Sequence, residues 1–462
     1  MDNTPKKPTV LIVGAGLGGL MLAALFEKSG IPYIMLEKAE SVKPLGSVMT
    51  VGPVLMAIFQ QLGIYDDILA IGKYMTHIRM HNESLKPLKP TDYTPVEEQA
   101  GYGFYVVARP MLYDLVSKLV PLHKILFGKK VINISETDTG VTIKTSDDTT
   151  YQGDILVGAD GAHSTVRQYM YKELKANGML PKLDQEDLPF SCTCLVGQTN
   201  VLDPEMYPLL KEPVCQFLSV MSDDKPYSWA TWTTSDSKLA FMIVHYLGKE
   251  SSKAAIMGER QDGIERLEEW GPCAVQAMCD ETSKFPVPIK GDNDKAMNLG
   301  DIYDLTPKDM ISKVMLEEKV FETWYSGRVV LLGDGAVTAF HDAVALSNLL
   351  YALPSTTTSE INAIFKTYYS ERHPAALESF ENSKLFGKIM DRGISGAIAL
   401  FFVTHTPFWL WKILLGKTVK HRPQIGWLEA VTVTGTVAPV VSKSTEIARE
   451  EYTRRQQQVE TV

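Results

Sequence analysis

Cysteine is scarce in this chain. Five of its 462 residues are cysteine: Cys192, Cys194, Cys215, Cys273 and Cys279. An odd, thinly spread set in a long chain excludes a disulfide scaffold and reads as reduced thiols. Cys192-x-Cys194 has no second half, so the pattern of a structural zinc site is missing and no metal is expected. Basic charge is also short. Lys and Arg number 46 against 55 Asp and Glu, a net charge of −9. With no basic stripe in the body of the chain, nucleic acid is not an expected partner. The opening residues, MDNTPKKPT, are polar and run straight into a strand pattern, without the apolar core of a secretory signal. Internal repeats and low-complexity tracts are absent, and no nucleophilic triad presents itself.

What is present begins at Val10. Val10–Val13 is a short apolar run with β-branched residues, the pattern of a buried strand. Gly14, Gly16 and Gly19 then form G-x-G-x-x-G, and apolar residues recur at helical spacing to Lys28. Tyr33–Leu36 reads as a second buried strand, and it ends in Glu37. Gly14 allows the tight turn, Gly16 lets backbone approach a pyrophosphate, and Gly19 lets the helix pack close to the sheet. The helix N-terminus turns its free N–H groups toward the phosphates. An acid at the end of the second strand can accept from a ribose hydroxyl. Strand, loop, helix and acid together point to a bound dinucleotide.

Further along, Pro53 to Leu62 has helical periodicity, and the proline-rich stretch from Pro87 to Glu98 reads as a surface loop. Tyr102–Ala108 is strand-like and leads to Arg109, ahead of a helix opened by Pro110. Arg109 either faces the glycine loop or is a solvated surface arginine. Lys124 to Tyr151 alternates as a β-meander, and Ile155–Val157 leads into Gly158-Ala-Asp160-Gly161, with Ser164 placed to cap the next helix. His163 is a tempting base, but it sits in a turn occupied with structure. Phe190 to Leu247 reads as an antiparallel sheet, in which Trp229 and Trp232 either line an apolar pocket or fill the core. Val329–Leu332 is another buried strand, followed by helices over 336–353 and 361–392, the latter with a break at Pro374.

Ile394 to Leu415 has no charge before Lys412 and the length of a hydrocarbon core. Pro407 and His405 interrupt it, Trp409 and Trp411 favour an interface, and lysines flank both ends. Interfacial contact, a true span, and burial in a core or oligomer surface all remain open. From Ser442 the tail is charged and glutamine-rich, hence helical or disordered.

Three motifs thus stand in a fixed order: Gly14–Glu37, Gly158–Arg167 and Gly327-Arg-Val-Val-Leu-Leu-Gly-Asp334. This order resembles the group A FAD-dependent monooxygenases, the family of aromatic hydroxylases and of squalene-type and carotenoid epoxidases. The similarity spans roughly residues 8–392, and the C-terminal section resembles the fungal branch that epoxidises meroterpenoids and indole-diterpenes. It implies an α/β fold, α+β overall: a Rossmann-like FAD-binding domain over 1–188 and 291–392, an antiparallel-sheet substrate domain over 189–290, and a helical, apolar extension over 393–462. It also implies that Gly14, Gly16 and Gly19 meet the pyrophosphate of FAD and that Glu37 holds its ribose. Thr50 would lie on the flavin side. Arg109, Asp160, Asp334, Gly335 and Ala336 would complete the cofactor site, with no catalytic side chain assigned.

The implied chemistry is insertion of one oxygen atom from O2 into a bulky apolar substrate such as a terpenoid, by epoxidation or hydroxylation through a flavin C4a-hydroperoxide. NADPH or NADH would serve as transient reductant. The implied setting is the cytoplasmic face of an intracellular membrane, reached through 394–415. One departure stands out. Relatives of this type follow the GD aspartate with a loop of pattern A-x-H-x-x-x-P-x-x-G-Q-G before the helix. Here Asp334 runs directly into Gly335-Ala336, a loss of about 11 residues and up to ~35–40 Å of reach. Gly335 would permit the unusual φ of a tight join. A mis-spliced isoform, a catalytically impaired paralogue, and an FAD-dependent reductase or oxidase are the alternatives.

Overall fold

The computed structural model describes residues 7–41, 46–186, 188, 190–247, 271–291, 294–317, 319–333, 335–389, 401 and 405–460. At its centre is a six-stranded sheet in the order 325–326, 329–331, 155–158, 10–13, 33–36, 125–126, parallel except for the first strand. The Val10–Val13 strand is buried along its whole length. It can read as continuous apolar sequence because a parallel sheet is covered on both faces. The Leu17–Ser29 helix covers one face and packs on the Ala336–Tyr351 helix, where a Cβ on Gly18 would stand 2.9 Å from that of Ala339. The meander forms the strands Val131–Thr137, Gly140–Thr145 and Thr150–Gly153. It is fastened to the central sheet by the fully buried Arg328, whose backbone N–H donates to Glu136 Oε1 at 2.6 Å and whose guanidinium donates to the Asp138 carbonyl.

A seven-stranded sheet stands apart from it, in the order 312–317, 190–198, 239–246, 227–233, 217–221, 77–82, 91–92. Its four central strands lie within 189–290, and its outer strands come from outside that span. One face, with Trp229, Phe241 and Ile243, packs on the Pro272–Thr282 and Leu299–Asp304 helices. Trp229 is core, its ring N–H donating to the Pro286 carbonyl at 2.8 Å, and Trp232 packs on Phe217.

Several sequence expectations need correction. The 87–98 stretch is not all loop: it holds the Thr91–Asp92 strand and the start of the Pro95–Ala100 helix, opened by proline at its first turn. Pro374 does not break its helix, which runs as one piece over Thr358–Ile389. Residues 394–400 and 402–404 of the 394–415 segment lie outside the described residues. Among the described residues no helix is long and apolar enough to cross a membrane. The Phe408–Thr418 helix has 11 residues, roughly 16 Å against the ~30 Å of a hydrocarbon core. It buries Leu415 against Val96, Ala100 and Val419. The extension beyond it is not uniformly apolar either. The tail forms the Lys443–Glu460 helix, which packs on the Ala336–Tyr351 helix through the buried Ala448.

Candidate functional site

The glycine loop meets the demands placed on it, each glycine for its own reason. Gly14 has φ +107°, and a Cβ there would sit 2.3 Å from the Ala159 carbonyl oxygen. The neighbouring strand's loop therefore presses against it, and only glycine fits. A Cβ on Gly19 would sit 2.1 Å from the Gly14 oxygen, so the helix closes directly onto its own turn. A Cβ on Gly16 would meet nothing within 4 Å. Gly16 faces the open cleft, in extended backbone at the helix N-cap with no side chain capping the first turn. The first amide groups of a 13-residue helix thus point into open space, an anion site by geometry and dipole.

Glu37 closes the loop from the other side. Its Oε2 accepts from the Ala15 N–H at 2.8 Å and its Oε1 from the Ala39 N–H at 2.9 Å. Each oxygen keeps a further lone pair for a hydroxyl. Asp160 also lines the cleft, but its carboxylate is committed to structure. It accepts from the Ser164 hydroxyl at 2.5 Å and from the Thr165 N–H at 2.7 Å. Ser164 caps the Thr165–Ala176 helix as read from sequence, accepting from the Arg167 N–H at 2.9 Å. His163 lies beside them on the cleft wall.

The cleft itself encloses about 350 Å³. It runs from Glu37 and Lys38 past Gly14, Gly16 and Asp160 to Arg109, Leu332, Gly333 and Ala339. Arg109 therefore faces the glycine loop, across the gap from it. Lys129 and Lys130 also line the cleft, and sequence reading missed both, since a Lys pair between a turn and a meander strand carries no motif. A hydrogen bond from Lys129 to Asp147 holds the ammonium above its usual range and the carboxyl below its own.

Thr50 is not brought to this cleft. It lies on the Val48–Val51 strand, paired with Val106. Asp334 lies outside the described residues. Gly335 is the exposed N-cap of the Ala336–Tyr351 helix. Its φ is −71°, so the expected unusual φ is corrected. Residues 332–335 alone join the Val329–Leu331 strand to the helix, and an N-cap takes ordinary extended backbone. Ala336 opens the helix, as expected. The residues that hold this join were missed. Gly333 N–H donates to Asp342 Oδ2 at 2.8 Å, and the buried Arg372 bonds the other oxygen at 2.6 Å. Among the described residues no cluster of His, Cys, Asp or Glu could hold a metal ion.

A glycine loop opening on uncapped helix amides, an acid beside it and a cationic rim suit a dinucleotide, and the comparisons name it. Residues 7–186 match the family model of an FAD binding domain. The chain is similar to curated fungal FAD-dependent monooxygenases. It is 27% identical to olcE of Penicillium canescens over 415 residues, covering 84% of this chain and 82% of that one. It is 28% identical to pyr5 of Aspergillus fumigatus over 362 residues, covering 74% and 72%, and 25% identical to paxM of Penicillium paxilli over 418 residues, covering 83% and 79%. Each of the three is described as an FAD-dependent monooxygenase. Among solved structures, Klebsiella pneumoniae HpxO with FAD and uric acid superposes with a TM-score of 0.64 at 18% identity, covering 90% of this chain and 94% of that one. CtdE with FAD and a substrate gives 0.62 at 15%, covering 89% and 98%. These likenesses place the fold among flavin monooxygenases, with FAD as the cofactor of the cleft. Gly14, Gly16 and the helix amides suit its pyrophosphate and Glu37 its ribose.

Proposed function

We propose that this monooxygenase inserts one oxygen atom of O2 into a bulky apolar, terpenoid-like substrate of fungal secondary metabolism, by epoxidation or hydroxylation, with NADPH or NADH as transient reductant. The observation that carries the reading is the second face of the seven-stranded sheet. Cys192, Cys194 and Val196 stand opposite Tyr246, Val244 and Met242, while Ala230 and Trp232 further along the face pack with Met75 and Val106. On it the Ser228 and Tyr246 hydroxyls pair at 3.0 Å. A hydrogen bond with Cys192, then burial, pushes the Cys194 thiol up, and burial pushes Tyr246 up to about 12. Thiol and phenol therefore stay neutral. A face without charge suits an apolar substrate and excludes water from it. FAD, when bound, supplies the redox and oxygen-activating chemistry. The chain binds, orients and dehydrates.

The short join at 332–335 favours a second reading, a catalytically impaired paralogue or mis-spliced isoform. An FAD-dependent reductase or oxidase is the third. Labelled O2 with a panel of prenylated aromatic and terpenoid alkenes separates them. Label in the product is the expected result. NADPH oxidation that never labels a product would favour an oxidase, and no NADPH oxidation would favour the impaired form.

We further propose that the protein rests on the cytoplasmic face of an intracellular membrane. Phe408, Trp409, Ile413 and Leu414 are between 40% and 65% exposed on a helix that also carries Lys412 and Lys417. Co-sedimentation with anionic vesicles should fall at least about fivefold in Phe408→Ser/Trp409→Ser, a loss of ~1 kcal/mol or more of buried apolar surface. Equal sedimentation of both forms would count against it.

A further inference from the structure

The residues that leave the Val329–Leu331 strand are held by side chains remote in sequence. The Tyr368 hydroxyl donates to the Leu331 carbonyl at 3.0 Å. The Gly333 N–H donates to Asp342 Oδ2 at 2.8 Å. Arg372 Nε donates to Asp342 Oδ1 at 2.6 Å, with the two side chains 2% and 0% exposed. Arg372 Nη1 then bonds His421 Nε2 at 3.0 Å. His421 belongs to the C-terminal segment. That segment takes a second grip on the same helix, where the Ser442 hydroxyl and the N–H and hydroxyl of Ser444 donate to Glu371 at 2.5, 2.7 and 2.9 Å.

Donor chemistry gives this chain of bonds its sense. A guanidinium only donates, so His421 Nε2 accepts and the ring is neutral, with its proton on Nδ1. Burial, with Arg372 beside it, lowers His421 to about 4, in keeping with that state. Asp342 has one oxygen on Arg372 and the other on a backbone N–H, so the carboxylate cannot turn without stranding a buried charge. The far end of the chain is a wall of the cofactor cleft. A Cβ on Gly333 would stand 2.6 Å from Asp342 Oδ2, so the backbone there sits in close register with the ion pair.

We propose that the C-terminal segment is part of the cofactor site, with His421 a positioning residue that acts through Arg372 and Asp342 to fix Gly333 in the wall against which FAD binds. This rests on the FAD reading of the cleft. In a chain whose strand joins its helix so directly, the hold on Gly333 comes from Asp342 on that helix and Arg372 on the next rather than from a longer loop.

FAD titrated into the apo form of the full chain, followed by flavin fluorescence, tests the proposal. His421→Leu keeps bulk and loses the acceptor, and FAD affinity should fall about tenfold, the scale of a lost bond to a charged group. His421→Gln restores an acceptor and should return to within about twofold of wild type. Gly333→Ala, which crowds Asp342 at the other end, should weaken FAD by itself and should make the His421→Leu change nearly silent, since coupled sites are not additive. Equal affinity in the Leu and Gln variants, or additive losses in the double variant, would overturn the relay. If His421→Leu fails to fold, His421→Ala, which also loses the acceptor, and its double with Gly333→Ala decide on the same non-additivity. A wild-type chain that takes up no FAD would instead overturn the cofactor reading itself.

Discussion

Gly14 and Gly16 sit two residues apart and answer to different constraints. At Gly14 the conformation is strained for any other residue and the neighbouring backbone is in contact. Gly14→Ala should therefore destabilise the apo fold by ~2 kcal/mol or more, read as a lower melting temperature without cofactor. At Gly16 the fold is indifferent and only the cleft is affected. Gly16→Val should leave apo melting within about 2 °C of wild type while FAD affinity falls more than about tenfold. A Gly16→Val protein that binds FAD normally would remove the pyrophosphate from this loop. Two buried histidines make a separate statement about pH. His341 is lowered to about 3 and His421 to about 4, both first by burial and then by Arg372. The groups facing them are Arg372, Glu371 and each other, with the Val54 carbonyl accepting from His341 at 3.0 Å. Unfolded histidine titrates near about 6.5, so the unfolded chain binds protons that the folded one refuses. Stability from this pair is thus complete above about pH 6.5 and is lost as pH falls toward about 4 for His421 and about 3 for His341. Melting temperature should drop across that window, and His421→Gln should shallow the drop; an unchanged slope would contradict the assignment.

At the scale of elements, legibility followed contiguity. Gly14, Gly16, Gly19 and Glu37 could be read because strand, turn, helix and acid are consecutive and each has its own residue preference. Ser164 was readable for the same reason. Asp342, Arg372 and His421 were not, because their partners lie 30 and 49 residues apart and their pattern exists only once three elements have packed. Pro374 misled because a helix whose first half is packed, through Ile361, Phe365, Tyr368 and Arg372, can absorb the loss of one amide bond further on. Gly335 misled because the demand for unusual backbone was assigned to the glycine itself, whereas the close approach falls at Gly333, against Asp342. The Ala336–Tyr351 helix also anchors the C-terminal segment. Asn348 donates to the Gln424 carbonyl at 3.0 Å and accepts from the Gly426 N–H at 2.9 Å. Asn348→Ala strands both, and should cost ~2–3 kcal/mol in urea unfolding. A loss under ~0.5 kcal/mol would show that the segment is held elsewhere.

At the scale of the whole molecule, the chain divides its labour between two sheets. The parallel sheet presents backbone, through helix amides and glycines, to a charged cofactor. The antiparallel sheet carries an uncharged face, the side proposed for an apolar substrate. The C-terminal segment ties across the back of the first, with Gln61 bonding the Ile425 carbonyl at 3.0 Å and its N–H at 2.7 Å, and Arg422 bonding the Ala100 carbonyl at 2.9 Å. Nothing local in the sequence announced that return, because its contacts cross some 300 residues of chain. The direct strand-to-helix join at 332–335 is where this division is most exposed, since the cleft must still accept the whole cofactor. A visible absorbance spectrum of the purified chain, incubated with excess FAD and then desalted, tests that most directly. The expected result is a yellow protein carrying about one FAD per chain, as a single site requires. A colourless protein that keeps its fold would contradict it.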